Sequence, residues 1–208
     1  ANSGQFRDFL STCSGIDLTP FFDNWVFAPG FPHFSIDSVK AVDLGGDFYT
    51  TVYIRQRLNH APELYSEVPL EITFMDKNWN QHTELLYMSD ECGYYITTLP
   101  FEPVFAALDM DEKISDAISD ETAIINDIGE YDFPLAYFDM EVLNIIDSAF
   151  VRVEHNWVAP NPMKNPIPGL HLSDYRYWKI DGILPETFVA TAELLYNAQL
   201  TTNGGHLD

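Results

Sequence analysis

From residue 33 to about residue 110, polar and apolar residues alternate in short runs divided by turn-forming residues. This pattern restricts the chain to an antiparallel β fold. Phe34-Ser35-Ile36-Asp37-Ser38-Val39 alternates with period two. After the turn Leu44-Gly45-Gly46-Asp47 comes Phe48 to Leu58, rich in β-branched and aromatic residues. Val68 to Phe74 alternates again, and Asp76-Lys77-Asn78 turns the chain. His82 to Met88, Tyr94 to Thr98 and Val104 to Leu108 complete the series. Successive side chains of a strand point to opposite faces, so each run buries one face and wets the other. Six such runs with polar turns between them predict an antiparallel sandwich over 33–112. Aromatic residues are 14% of the chain, alongside 13 Pro and 11 Gly, which suits strands and loops better than helix bundles.

Residues 1–32 have a different period. Phe6, Phe9, Leu10 and Cys13 recur at helical spacing, and Gly15 is placed to end that helix. A second short helix follows. Asp17 or Thr19 can cap it, and Pro20 suits a first turn whose N–H has no partner anyway. Phe21, Phe22 and Trp25 then share one apolar face, and Ala28-Pro29-Gly30-Phe31-Pro32 stops the helix. A capped helix running into a strand reads as the end of a helical part, so the chain is expected to be cut from a larger protein.

Residues 113–130 are acidic, lack a long clean period, and read as a connector. A second β-rich domain is expected over 131–208. Its strands are Leu135 to Val142, Ser148 to Val158, Tyr175 to Ile180 and Thr187 to Tyr196. Pro160, Pro162, Pro166 and Pro168, ending at Gly169, make a loop too stiff for a flexible linker. The end, Thr201 to His206, is a turn with no strand after it, which leaves the second domain short of strands. The fold class predicted is mostly β: a short helical segment, an immunoglobulin-like sandwich, and a second, incomplete β domain.

Charge narrows the partners. The formal net charge is −22 over 208 residues. Phosphate binding needs Lys and Arg, so the charge argues against nucleic acid and anionic membrane surfaces as partners. No apolar run approaches the ~18 residues of a membrane span. Cys13 and Cys92 form no motif, which leaves the redox compartment open.

No catalytic signature is present. The histidines are His33, His60, His82, His155, His171 and His206, and no two have the spacing of H-E-x-x-H. Leu108-Asp109-Met110-Asp111-Glu112 begins like a calcium loop. Ile114 and Asp120 then stand where such a loop needs Gly and Glu, so a solvated turn is expected. No G-x-S-x-G, G-x-x-x-x-G-K or G-x-G-x-x-G occurs. Tyr175-Arg176-Tyr177-Trp178-Lys179 is the densest aromatic-cation run. Tyr175, Tyr177 and Trp178 have two readings. They form a sugar- or peptide-binding face with rings as stacking platforms, or Trp178 packs in the core while the tyrosines cover its rim. Trp157 has the same two readings.

Ser14-Gly15-Ile16-Asp17-Leu18, Phe21-Phe22, Trp25 and Pro29-Gly30-Phe31-Pro32 resemble the end of the catalytic domain in the aminopeptidase N family of gluzincin zinc peptidases. Members run S-G-x-D-L, two aromatic or apolar positions, W, then P-G-x-P just before a β-sandwich domain. Pro69 to Phe74, Gly93-Tyr94, Pro100 to Pro103 and Leu108 to Asp111 look like that sandwich. The resemblance covers about 1–112. Val153 to Pro160 and Leu172 to Trp178 are loosely similar to C-terminal extensions of secreted bacterial members. The resemblance marks Gly15, Asp17, Leu18, Phe22, Trp25, Pro29, Gly30 and Pro32 as a family-like structural motif, in which Asp17, Trp25 and Pro29-Gly30 are expected to form a hinge between catalytic domain and sandwich. It implies zinc, H-E-x-x-H and the catalytic tyrosine in a longer enzyme, with no cofactor and no catalytic residue in this chain. The partners implied are the catalytic domain of the same polypeptide and, through it, a peptide substrate, in an extracytoplasmic or secreted setting. A glycan- or cell-surface-binding module and a purely structural assembly domain are the alternatives.

Overall fold

The structure is a computed structural model that describes residues 2–194. The end expected for the last strand, residues 195–196, and the terminal turn with His206 lie outside the described residues. The chain divides into two compact units, Ala1–Ala117 and Ile118–Asp208. No helix among the described residues is long and apolar enough to cross a membrane.

The first unit opens with α1 (Ser3–Ser14), α2 (Thr19–Phe22) and a π-helical turn, Asp23–Phe27. Asn2 and Gln5 close a reciprocal cap at the start of α1, satisfying donors that helix geometry leaves free. Gly15 ends α1 in the left-handed conformation, and its N–H donates to the Ser11 carbonyl. The Asp17 carboxylate accepts the Thr19 N–H at 2.9 Å, and Pro20 occupies the first turn of α2. The Thr19 hydroxyl and N–H hold that carboxyl below its ordinary pKa. The apolar positions of α1 follow the helical period, yet none of its residues is buried.

Six strands follow: β1 (Phe31–Asp43), β2 (Phe48–Asn59), β3 (Val68–Met75), β4 (Gln81–Met88), β5 (Cys92–Leu99) and β6 (Phe105–Leu108). They form two three-stranded antiparallel sheets, β1-β2-β5 and β4-β3-β6. β5 therefore pairs with β2 and not with its sequence neighbour β4. Such crossing between sheets builds a β-sandwich. Phe34, Val52, Ile54 and Leu99 from one sheet meet Val68, Leu70, Ile72, Phe74, Leu86, Met88 and Leu108 from the other in a single core. At the tip of the β1–β2 hairpin, the Asp43 carboxylate accepts the N–H groups of Gly45 and Gly46. Between Ile36 and Ser38 the register shifts, and Asp37 at this bulge pairs with Arg55 at 2.8 Å.

Two polar contacts close this sandwich. The buried Gln56 side chain acts as a short piece of strand for the loop after β2. Its Nε2 donates to the Tyr65 carbonyl at 3.0 Å, and the Tyr65 N–H donates to its Oε1 at 2.6 Å. Glu84, on β4, accepts hydrogen bonds from the Tyr95 and Thr97 hydroxyls on β5 and pairs with His82. This carboxylate ties an edge of one sheet to an edge of the other.

The second unit holds β7 (Ile118–Ile125), β8 (Gly129–Phe133), a 3₁₀ turn (Pro134–Ala136), β9 (Phe138–Asn144), β10 (Ala149–Asn156), β11 (Tyr177–Ile183) and β12 (Val189–Leu194). These again make two three-stranded sheets, β11-β10-β7 and β12-β9-β8. Ile125, Phe133, Phe138, Met140, Val142, Ala149, Val151 and Val153 form their shared core.

Here the structure corrects the sequence reading. The stretch expected as an acidic connector over 113–130 supplies β7 and the start of β8. The second unit therefore begins at Ile118, not 131, and it is not short of strands, with six among the described residues. The acidity misled because Asp120 is not a solvated charge. Its carboxylate meets Arg152 Nε at 2.6 Å, and both side chains are almost fully buried. Glu121 in turn accepts the Leu135 N–H. The strand expected over 135–142 is likewise interrupted by the 3₁₀ turn, which Pro134 initiates and Tyr137 ends with a positive φ of 52°.

Glu84→Ala leaves two hydroxyls and an imidazole without their acceptor. It is expected to destabilise the first unit by about 1–3 kcal/mol in urea denaturation. Burial pushes the Glu84 pKa up, but the bonds from Thr97, Tyr95 and His82 outweigh it, and the net shift is downward. The stabilisation is therefore full above the ordinary glutamate range and is lost as pH falls through the lowered pKa. In the Glu84→Ala variant that loss is expected to vanish from the low-pH stability profile.

Candidate functional site

The residues of the 14–32 motif act mechanically. The Trp25 indole N–H donates to the Ser115 carbonyl at 3.1 Å, and its ring sits edge-on to Tyr65 at 5.2 Å. Asn24 donates to the Ser66 carbonyl at 2.8 Å. The Tyr65 hydroxyl donates to the Gly30 carbonyl at 3.0 Å. Gly30 has a φ of 82°, and a Cβ there would lie 2.3 Å from the Ala61 nitrogen, so only glycine lets the two backbones approach. Pro32 is buried, and its carbonyl accepts the Ala117 N–H at 2.7 Å. Trp25, Gly30 and Pro32 thus pin the helical segment to the loops of the sandwich. Gly15, Asp17 and Pro29 remain at the surface.

The same segment presents an apolar groove of about 380 Å³, lined by Phe6, Leu10, Leu18, Phe21, Phe22 and Val26. Phe22 is its buried floor, with the rings of Phe6, Phe21 and Phe27 within 6.2 Å of it. Phe6 and Phe21 are each about half exposed. Ser3 is the one polar residue of the lining, so the groove can bind an apolar surface but holds no group for acid–base or nucleophilic chemistry.

The aromatic run 175–179 does not form one face. Tyr175 lies in the loop before β11 and is exposed. Tyr177 and Trp178 are neighbours on β11, so their side chains point to opposite faces. Trp178 turns toward the core. Its indole N–H donates to the Ala136 carbonyl at 2.7 Å, and its ring stacks on His155 at 4.3 Å with 5° between the planes. Trp157 covers the His155 ring at 4.1 Å, Tyr137 meets it edge-on, and the Arg176 guanidinium lies 5.3 Å from the Trp178 ring centre. Trp178 and Trp157 thus pack around His155, and Tyr177 and Trp178 do not share one face.

One acidic constellation escaped the sequence reading. Glu130 and Asp132 on β8, Asp139 and Glu141 on β9, and Glu193 on β12 line a concavity of about 330 Å³. Glu130 stands opposite Glu141, and Asp139 stands between Asp132 and Glu193. Like charges directly opposite each other destabilise a sheet. The signal was available as acidic residues two apart, but carboxylates are so frequent here that the spacing did not stand out. Among the described residues, no group of three or more His, Cys, Asp or Glu is arranged to hold a metal ion. The calcium-like start at Asp109 is a turn, in which the carboxylate accepts the N–H groups of Lys113 and Ile114. Cys13 and Cys92 are free and exposed.

If Trp178 is a packing residue, Trp178→Ala is expected to cost about 3 kcal/mol in chemical denaturation. Tyr175→Ala is expected to stay within roughly 0.5 kcal/mol of the parent. No family model, curated protein or solved structure matches the chain.

Proposed function

We propose that this chain is a non-catalytic β-sandwich region of a zinc-dependent aminopeptidase, packing on the catalytic domain and shaping one side of its cleft. The observation that carries this reading is the unpartnered apolar groove on α1 and α2. An amphipathic helix that buries none of its own residues gains stability only by covering its apolar face elsewhere. The groove sits in the same segment as the motif that resembles the end of a gluzincin catalytic domain. Trp25 and Gly30 hold that segment fixed on the sandwich, so a domain docked in the groove would be held at a set angle. The zinc of such an enzyme finds no ligand set among the described residues, and no chemical step is assigned to this chain. An extracytoplasmic or secreted setting belongs to the same reading.

The test has two arms. The gene upstream of Ala1 is expected to encode H-E-x-x-H and a later zinc-binding Glu, and their absence overturns the reading. In that longer polypeptide, Leu10→Asp with Phe21→Asp is expected to lower thermal stability and peptidase turnover at least several-fold. The same pair of changes in the present chain is expected to lower its melting temperature less than that of the longer polypeptide, because Phe21 is about half exposed and Leu10 only partly buried in it.

A second reading, a glycan- or cell-surface-binding module, is favoured by the outward face of β1-β2-β5. Tyr49, Tyr53 and Tyr94 are exposed there, and Lys40 lies 5.1 Å from the Tyr53 ring centre. Binding on a glycan array that is lost in Tyr94→Ala would support it, and silence across the array would remove it.

A further inference from the structure

We propose that His155 is an acid-sensitive latch. It keeps edge strand β11 on the second unit while its imidazole is neutral and releases the strand when the ring takes up a proton. Three observations carry this. First, His155 is fully buried, and neither ring nitrogen has a hydrogen-bond partner among the described residues. A neutral imidazole tolerates this, but an imidazolium there has two N–H donors with nothing to accept them. Second, the ring lies between Trp157 and Trp178, at 4.1 and 4.3 Å. Its stacking partner Trp178 belongs to β11, which among the described residues is at the edge of its sheet and pairs with β10 alone. Third, among the described residues the groups facing the ring offer no counter-charge. They are Tyr137 after the 3₁₀ turn, Trp157 beyond β10, Arg176 and Trp178 entering β11, and Ser119 opposite on β7. The charged one among them is Arg176, and it is positive.

Burial first, and the Arg176 charge second, lower the pKa of His155 from the ordinary 6.5 to about 4. A base with a lowered folded pKa binds more protons when released. Stability is therefore whole above pH 6.5, falls as pH drops toward about 4, and levels off below that. This window is separable from general acid unfolding. Hydrogen bonds lower the pKa values of Asp17, Asp43, Asp76 and Glu84 from their ordinary ones, away from this window. The chain's net charge of −22 also shrinks on acidification, which relieves self-repulsion. Opening frees Trp157, Trp178 and one backbone edge of β10.

The experiment is amide hydrogen exchange of Ala149–Asn156 and Tyr177–Ile183 in the whole chain from pH 7.5 to 4.5, corrected for intrinsic exchange. The opening constant is expected to rise about tenfold per pH unit below pH 6.5. His155→Phe keeps the stack and removes the proton site, so its profile is expected to be flat. Arg176→Gln is expected to weaken the pH dependence, because the repulsion is gone. A pH-independent opening constant in the parent chain, or an unchanged slope in His155→Phe, overturns the latch. Should His155→Phe fail to fold at pH 7, NMR titration of the His155 ring in the parent chain decides. A ring still neutral in folded molecules at pH 5.5 supports the latch, and one that titrates near 6.5 overturns it.

Discussion

Gln56 holds the Tyr65 backbone through two hydrogen bonds inside the first core, and the arrangement of the first unit depends on that pair. The loop after β2 would otherwise carry buried peptide groups with no ladder to join, which is costly. Once Tyr65 is fixed, its ring supports Trp25 and its hydroxyl ties down Gly30. The helical segment, the loop and the sandwich are thereby joined through one side chain. Glu84 does comparable work on the far side, where β4 and β5 belong to different sheets but share a carboxylate.

The second unit uses the same architecture with different supports. Its sheets meet over Phe133, Phe138, Met140 and valines of β9 and β10. A buried Arg152–Asp120 pair joins β10 to β7. Breaking such a pair leaves an uncompensated buried charge, whereas its net stabilisation when intact is small. It thus fixes which strands lie side by side more than it adds stability. The His155 cluster differs in kind. Its ring is held by packing alone, so one proton can change the balance.

Function divides along the same lines. Several polar groups are consumed by structure: Asp109 closes a turn, Glu84 closes a seam, and Asp43 caps a hairpin. What remains unspent among the described residues is the carboxylate concavity of β8, β9 and β12 and the apolar surface on α1 and α2 and on the outward face of β1-β2-β5. Unspent apolar surface is suited to contact, which is why the proposal is a docking region.

The strands of the first sandwich, the helical start, its stop at Gly15 and the turn at Gly45-Gly46 were all legible in the order of residues. Each depends on period or on local backbone chemistry within a few residues. The same order separated the two readings of Trp178 without choosing between them. The packed chain puts Trp178 against His155 and the Ala136 carbonyl, contacts between residues far apart in the sequence. The same holds for β7. Its acidic residues resemble a solvated connector until Arg152, 32 residues away, is brought beside Asp120. Local pattern tells which face of a strand is apolar. Whether a charge is solvated or paired depends on long-range partners, and those are known only once the sheets have met.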